Sequence, residues 1–226
     1  MKKLMLFILC VSAFTVNSFA QSLKFDAHTG ANISKLVGGD KYIVYDSKMT
    51  PGGQIGGNVY YSLKNGITLT SGVDFIMTGG KYSAYSSYYD YNHSGSPITE
   101  FKEIKARELS LEMPFKLGYL FHLSENLDLL PLVGCYIRYS IASTNGKCQL
   151  TGKSQSSSWN CYKDFIDGDH TVKSYNRFDF GYNVEARFIA YQHYVFGLGY
   201  NRGITKRSSQ FKMKNSDIRL TVGYVF

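Results

Sequence analysis

The chain has 226 residues, with 25 Lys and Arg against 17 Asp and Glu for a formal charge of +8, and it is rich in Tyr (19), Phe (15) and Gly (22) but holds only 4 Pro. Beyond residue 20 nothing approaches the roughly 18 uninterrupted apolar residues of a spanning helix. The longest apolar segment, Leu127 to Ile141, is broken by Asp128, Pro131, Gly134 and Arg138. A helical membrane domain is thereby excluded, and the aromatic and glycine content favours many strands. The positive charge is spread along the chain and no recognition motif accompanies it, which argues against nucleic acid as a partner.

In chain order, residues 1–20 read as a signal peptide. Lys2 and Lys3 precede an apolar run from Leu4 to about Val16, and Ser18-Phe19-Ala20 supplies small residues for cleavage. Cys10 follows Leu9 rather than the small residue that normally precedes a lipidated cysteine, which argues against lipid attachment. The expected mature domain is 21–226, with a net charge of +6 once Lys2 and Lys3 are removed.

Period-two alternation then predicts strands near Leu23 to Ser34, Gly53 to Leu63 and Ile67 to Thr78. A fourth places Leu109, Leu111, Met113, Phe115, Leu117, Tyr119 and Phe121 on one face. A fifth does the same with Pro131, Val133, Cys135, Ile137, Tyr139 and Ile141, a sixth with Phe178 to Phe188, and a seventh with Tyr194, Phe196, Leu198 and Tyr200. The last alternates Ile218, Leu220, Val222, Tyr224 and Phe226 with polar or small residues. Its ending on Tyr224 and Phe226 resembles the signal by which the barrel insertion machinery recognises its substrates.

The connections alternate as well. Lys64-Asn65-Gly66, His122 to Asn126 and Gln192-His193 are short, whereas 35–52, 79–104, 142–176 and 204–216 are long and polar. Aromatics along one face of every strand, with short and long connections in turn, predict an all-β fold: an eight-stranded antiparallel transmembrane β-barrel, with short periplasmic turns, long extracellular loops and both termini in the periplasm.

Two stretches carry a family resemblance. Leu109-Ser110-Leu111-Glu112-Met113-Pro114-Phe115-Lys116-Leu117-Gly118-Tyr119 and Arg177-Phe178-Asp179-Phe180-Gly181-Tyr182-Asn183 resemble the Leu-Glu-x-Pro and Phe-Asp-x-Gly strands of the PorT-like or OmpX-like "porin family" of outer membrane barrels, abundant in Bacteroidetes. The resemblance spans Gln21 to Phe226 and implies an outer membrane location. It implies a fold more than a function, although one member type supports protein secretion.

Eight strands leave an interior only wide enough for side chains. The alternation points Lys24, Asp26, His28, Asp74, Glu112, Lys116, Arg138, Asp179, Glu185, Arg187 and Arg219 inward, where charges must pair or cost several kcal/mol. The expectation is a lumen plugged by a charge network, with an ion path past Glu112, Lys116, Arg138 and Arg187 as the alternative.

Cys148 and Cys161 flank a polar loop and form a candidate disulfide, while Cys135 reads as a small lipid-facing residue. No Cys or His spacing suggests a metal, and no cofactor motif is present. His122 and Ser124 resemble the His-x-Ser pair of lipid A deacylases, but they fall in a turn with Glu125 adjacent and not aimed, so no catalytic residue is assigned.

The loop holding Tyr82, Tyr85, Tyr88, Tyr89 and Tyr91 among Ser and Asn has the composition of an adaptable binding surface for a glycan or protein. Basic residues near the outer side (Lys147, Lys153, Lys163, Lys173, Lys206, Arg207, Lys212, Lys214) suit lipopolysaccharide phosphates. The sequence thus points to a monomeric, non-enzymatic barrel with a structural or surface-binding role in contact with outer membrane lipid. A small-solute channel or a component of outer-membrane transport or secretion is the alternative, and a lipid A-modifying enzyme a second.

Overall fold

A computed structural model of the chain describes residues 22–38, 44–89, 97–143, 146–150, 157–167, 170–172, 174–207 and 212–226. The expected leader lies outside them, as do Tyr91, Lys153 and Lys173. Eight long strands follow one another: β1 (Ser22–Val37), β2 (Thr50–Ser62), β3 (Ile67–Tyr89), β4 (Pro97–Tyr119), β5 (Leu127–Ser143), β6 (Phe178–Ala190), β7 (Tyr194–Gly203) and β8 (Lys214–Val225). Each pairs antiparallel with its neighbour in sequence. Strand β8 returns to β1, from Asp26↔Val225 to Val37↔Lys214, so the barrel closes without a free edge.

The side chains obey the strand period. Phe25, Ile55, Phe75, Phe115, Val133, Val184, Leu198 and Leu220 stand open on the outer wall, while their neighbours turn into the lumen. Aromatics gather at the two rims of this wall. At the turn end Tyr119 packs on Phe121 at 4.8 Å, and Tyr224 meets His193, Tyr194 and Phe226 at 5.2, 5.8 and 5.3 Å. At the loop end stand Tyr139, Phe178, Tyr182 and Tyr200. From Phe178 to Phe188 on β6 the rise is about 26 Å for a strand tilted about 40°, which matches the apolar band of an outer membrane.

Three connections are tight. Gly66 takes φ 86° and donates to the Leu63 carbonyl at 3.0 Å, closing the β2–β3 turn. Between β4 and β5, Phe121–Ser124 already pairs with the start of β5, leaving Glu125 and Asn126 as the turn. The third turn centres on Tyr191 and Gln192, one residue earlier than the spacing suggests. Both have positive φ (50° and 62°), and His193 N–H donates to the Ala190 carbonyl at 3.1 Å, the geometry of a two-residue hairpin of mirror-image type.

The long connections depart from the sequence expectation. Of the expected loop at 79–104, residues 79–89 and 97–104 are strand. Strands β3 and β4 remain paired from Thr78↔Glu108 to Tyr89↔Pro97, and both run for 23 residues. Tyr and Ser tolerate strand geometry with water on both faces, so the ladder continues where hydrophobic alternation stops. Val44–Lys48 adds to β3 opposite Lys81–Tyr85, Gly146–Leu150 adds to β4 opposite Lys102–Lys105, and Ser157–Trp159 pairs with Gly146–Cys148. A five-stranded sheet thus projects beyond the barrel at its loop end.

Candidate functional site

The lumen is filled from the turn end upward. Tyr60, Leu130 and Leu132 form an apolar floor with Leu120 and Ile189 packed against it. Above the floor, the Arg187 guanidinium donates to Asp26 Oδ2 at 2.8 Å and to Glu185 Oε1 at 2.6 Å, and it also reaches the Tyr60 hydroxyl. That hydroxyl donates to Asp26, while Lys116 donates to Glu185. Asn58 supplies its backbone N–H to Asp26 at 2.9 Å and its amide at 3.0 Å. His28 lies between two carboxylates, Nδ1 2.9 Å from Asp26 Oδ1 and Nε2 2.9 Å from Asp74 Oδ1. Two acceptors flanking one ring is the arrangement of an imidazolium.

Glu112 centres the middle layer. It accepts from Arg138 Nε and Nη2 at 2.8 and 2.7 Å, and from Arg219 Nη1 and Nη2 at 2.7 and 2.8 Å. Asp217 is shared by the same two guanidiniums, at 3.0 Å from Arg138 and 2.5 Å from Arg219. Toward the loop end, Asp179 accepts from Tyr136 at 3.2 Å, Thr205 at 2.7 Å and Asn215 at 2.8 Å. Glu108 closes the top, accepting from Arg207, from Ser140 at 2.8 Å and from Tyr162 at 3.0 Å. Tyr162 and Arg207 belong to connections outside the membrane-spanning strands. Burial, and then the Glu108 charge, push the Tyr162 hydroxyl far above its ordinary range.

Of the eleven side chains expected to point inward, ten are buried in the lumen, and Lys24 stands half-buried at its turn-end mouth. The structure adds Glu108, Asp217 and Arg207 to them, and the neutral donors Tyr60, Tyr136 and Asn58. Asp217 and Glu108 were legible, since they share the inward parity of Arg219 and Glu112. Arg207 gave no such signal. The sequence suggests a solvated loop cation suited to lipid phosphates, but the structure turns it inward onto Glu108, fully buried. Lys206 and Lys163 are exposed, and Lys214 stands half-buried on the outer wall.

Seven buried carboxylates (Asp26, Asp74, Glu108, Glu112, Asp179, Glu185, Asp217) face five Lys or Arg (Lys116, Arg138, Arg187, Arg207, Arg219), so a charged His28 brings the balance to within one. Packing leaves little room beside them. The void enclosed by His28, Asp74, Lys116, Glu185 and Arg219 is about 10 Å³, enough for one water at most. Buried polar atoms without a hydrogen-bond partner occur around the barrel: on Asn32, Gln54, Asn58 and Thr70 of β1 to β3, and on Arg107, Arg138, Asn183 and Arg207 beyond them.

His122 sits on the short strand after β4 with its side chain 75% exposed, and its Nδ1 is 2.6 Å from Asp128 Oδ1. The carboxylate aimed at it is therefore Asp128, not Glu125, a pairing that only the Phe121–Ser124 hairpin reveals. Ser124 lines the same open vestibule but makes no hydrogen bond to His122, so no activated nucleophile is assembled.

Cys161 carries a free thiol, buried where its N–H donates to Ser143 Oγ at 3.2 Å. The expected bridge to Cys148 is not formed. Ser143 pairs with Glu108 and Cys148 with Ile104, four residues farther along β4. That is about 13 Å of strand, beyond the reach of a disulfide. Cys135 pairs with Phe115 and Tyr182 on the outer face. The backbone of Tyr82, Tyr85, Tyr88 and Tyr89 belongs to the projecting sheet, in register with Ile104, Phe101, Ile98 and Pro97.

A sequence model of the outer membrane protein beta-barrel domain matches residues 6–226. No curated protein matches the chain. Among solved structures, Ail, the attachment invasion locus protein of Yersinia pestis, is 14% identical over 90% of this chain and 98% of its own, with a TM-score of 0.39. Neisserial surface protein A is 11% identical over 88% and 96%, at 0.40. OprG from Pseudomonas aeruginosa is 7% identical over 92% and 97%, at 0.41.

Proposed function

Because the chain belongs to the outer membrane protein beta-barrel domain family, we propose that it is a non-enzymatic surface barrel with a plugged lumen, its short turns and both termini in the periplasm and its projecting sheet outside the cell, where the sheet binds an extracellular glycan or protein. Within the family, the motifs at 109–119 and 177–183 support a PorT-like or OmpX-like member.

One observation carries the reading: β3 and β4 are 23 residues long, whereas about 9–11 suffice to cross an outer membrane. From Gly80 to Tyr89 the excess is about 30 Å of paired strand. Backbone pairing along the Tyr-rich segment limits its conformations, so that binding would forfeit less conformational entropy than a free loop. Its outer strands, Val44–Lys48 and Ser157–Trp159, end the ladder among the described residues and offer unpaired backbone to an added strand.

The test is excision of Tyr82 to Ile104. Lys81 and Lys105 face each other in register and can be joined by a short Gly-Ser turn. The truncated chain should keep its heat-modifiable mobility, and cells bearing it should lose adhesion to plates coated with laminin, collagen or heparin. Full-length cells that adhere no better than empty ones, or a truncation that adheres equally well, would overturn the binding reading.

A second reading, a narrow solute or ion path, is favoured by the buried polar atoms of Asn32, Gln54, Thr70, Arg138 and Asn183 that find no hydrogen-bond partner. Planar-bilayer recording separates the two. Steps of conductance that change with Arg138→Ala would support the path, and a silent membrane the plug.

A further inference from the structure

At the loop-end rim of the outer wall, three cations share one patch. Lys35 on β1 and Arg202 on β7 both lie in register with Ser216 of β8, one on each side, and Lys214 stands two residues farther along β8 opposite Val37. Strand spacing puts the Lys35 and Arg202 backbones about 10 Å apart and Lys214 about 7 Å from Ser216, within reach of one another's long side chains. All three have the outward parity of Ile33, Tyr200 and Ile218. Among the described residues none of them has a carboxylate partner, in contrast to the cations of the lumen. Like charges gathered without counter-charge repel, and an anion held between them relieves that repulsion.

Directly beneath lies a cleft of about 210 Å³ lined by Ile33, Met49, Tyr200 and Ile218 as well as by Lys35, Arg202 and Asp217, whose carboxylate is turned into the lumen onto Arg138 and Arg219. It continues into the lipid-facing wall, where Ile33, Tyr200 and Ile218 are exposed. The Tyr200 hydroxyl hydrogen-bonds Ser216 Oγ at 3.3 Å, which fixes the ring as one side of the cleft. Cations above apolar surface, at the height where an aromatic rim marks the edge of the bilayer, match one kind of molecule: an amphiphile with a phosphate head over an acyl tail. A soluble anion would not need the apolar floor, and a protein would have to enter the bilayer to reach it.

We propose that the outer wall of β1, β7 and β8 is a binding site for a phosphorylated lipid of the outer leaflet, of the lipopolysaccharide class, with Arg202, Lys35 and Lys214 on its phosphate and the cleft on its acyl or sugar portion. The identity of the leaflet rests on the outward orientation proposed above. Arg202 supplies a planar fork for two phosphate oxygens, and the two lysines supply mobile point charges.

The experiment uses the full mature chain in phosphatidylcholine nanodiscs, with lipid A bisphosphate titrated in and bound lipid counted by native mass spectrometry. The variant Lys35→Gln/Arg202→Gln/Lys214→Gln should bind on the order of a hundredfold more weakly, at roughly tenfold or less per cation. Lys35→Arg/Lys214→Arg should bind as the native chain does, and dephosphorylated lipid A should bind the native chain no better than the phosphorylated form binds the triple variant. Unaltered binding by the triple variant, equal binding of dephosphorylated lipid, or complete displacement by millimolar inorganic phosphate would each overturn the site. Heat-modifiable mobility establishes that the variants fold. Labelling of Ser87→Cys on intact cells with an impermeant maleimide, above the native background, reads the orientation separately, so a wrong leaflet and a wrong site give different results.

Discussion

Replacing Glu112 by Gln tests whether the lumen is a dry, paired network. The carboxylate is fully buried and accepts four charge-assisted hydrogen bonds, two from Arg138 and two from Arg219, all between 2.7 and 2.8 Å. Gln keeps the shape but removes the charge, and its NH2 end would face guanidinium donors. Two buried cations would then share Asp217 as their one close carboxylate, with Asp179 3.8 Å from Arg138 and Asp74 4.0 Å from Arg219. Breaking a buried pair costs about 3–5 kcal/mol, whereas an exposed pair is worth about 1 kcal/mol or less. Glu112→Gln should therefore lower stability by about 3–5 kcal/mol, read as the shift in urea-induced unfolding of the barrel in lipid vesicles. Adding Arg219→Met, which removes one of the stranded cations, should recover at least about 1 kcal/mol of that loss, a coupling expected of residues in one network. A loss below about 1 kcal/mol for Glu112→Gln would refute the reasoning, because it would mean that water screens these charges and that the lumen is open enough to conduct.

Other consequences follow from the turns and the loops. The Cys161 thiol is pushed up to about 11 by burial and by the Glu108 charge, so folding favours its protonated form. Its contribution to stability should be complete below about pH 9 and fade as pH rises toward 11, and iodoacetamide at pH 8 should modify it only in urea; prompt labelling of the folded chain would contradict this. Tyr191→Asn combined with Gln192→Gly should raise the unfolding midpoint by about 1 kcal/mol of stability, since both native residues hold positive φ where Asn-Gly is at ease; a lower midpoint would show that the Tyr191 ring anchors the rim more strongly than its backbone is strained. His122→Ala should leave the lipid A of expressing cells unchanged by mass spectrometry, and a new acyl chain retained in the variant would mean that Asp128, His122 and Ser124 do assemble in the membrane.

Much of the barrel was legible because two solvents flank one sheet. Asp179, Glu185 and Arg187 recur on even spacings between Phe178, Tyr182, Val184 and Phe188, so parity alone separates lumen from lipid. Where both faces of a strand meet water, that signal vanishes. Residues 79–89 and 97–104 carry no sustained apolar alternation, and what makes them strands is the register that β3 and β4 bring up from the membrane, 23 residues each. Arg207 shows the same limit for a single side chain: its partner Glu108 lies 99 residues away, and nothing near Arg207 in sequence distinguishes it from the exposed Lys206.

The inward and outward cations then divide by counter-charge. Arg138, Arg187, Arg207 and Arg219 each find carboxylates within the lumen. Lys35, Arg202 and Lys214, on the opposite face of the same wall, have none among the described residues. On the plugged-lumen reading proposed above, recognition falls to the exterior. That exterior offers two unsaturated surfaces of different chemistry: the backbone edges of the projecting sheet, open to an aqueous ligand, and the basic rim of β1, β7 and β8, open to a lipid phosphate. The two tests are independent, because excising Tyr82 to Ile104 leaves Lys35, Arg202 and Lys214 in place, and neutralising those three leaves the sheet intact.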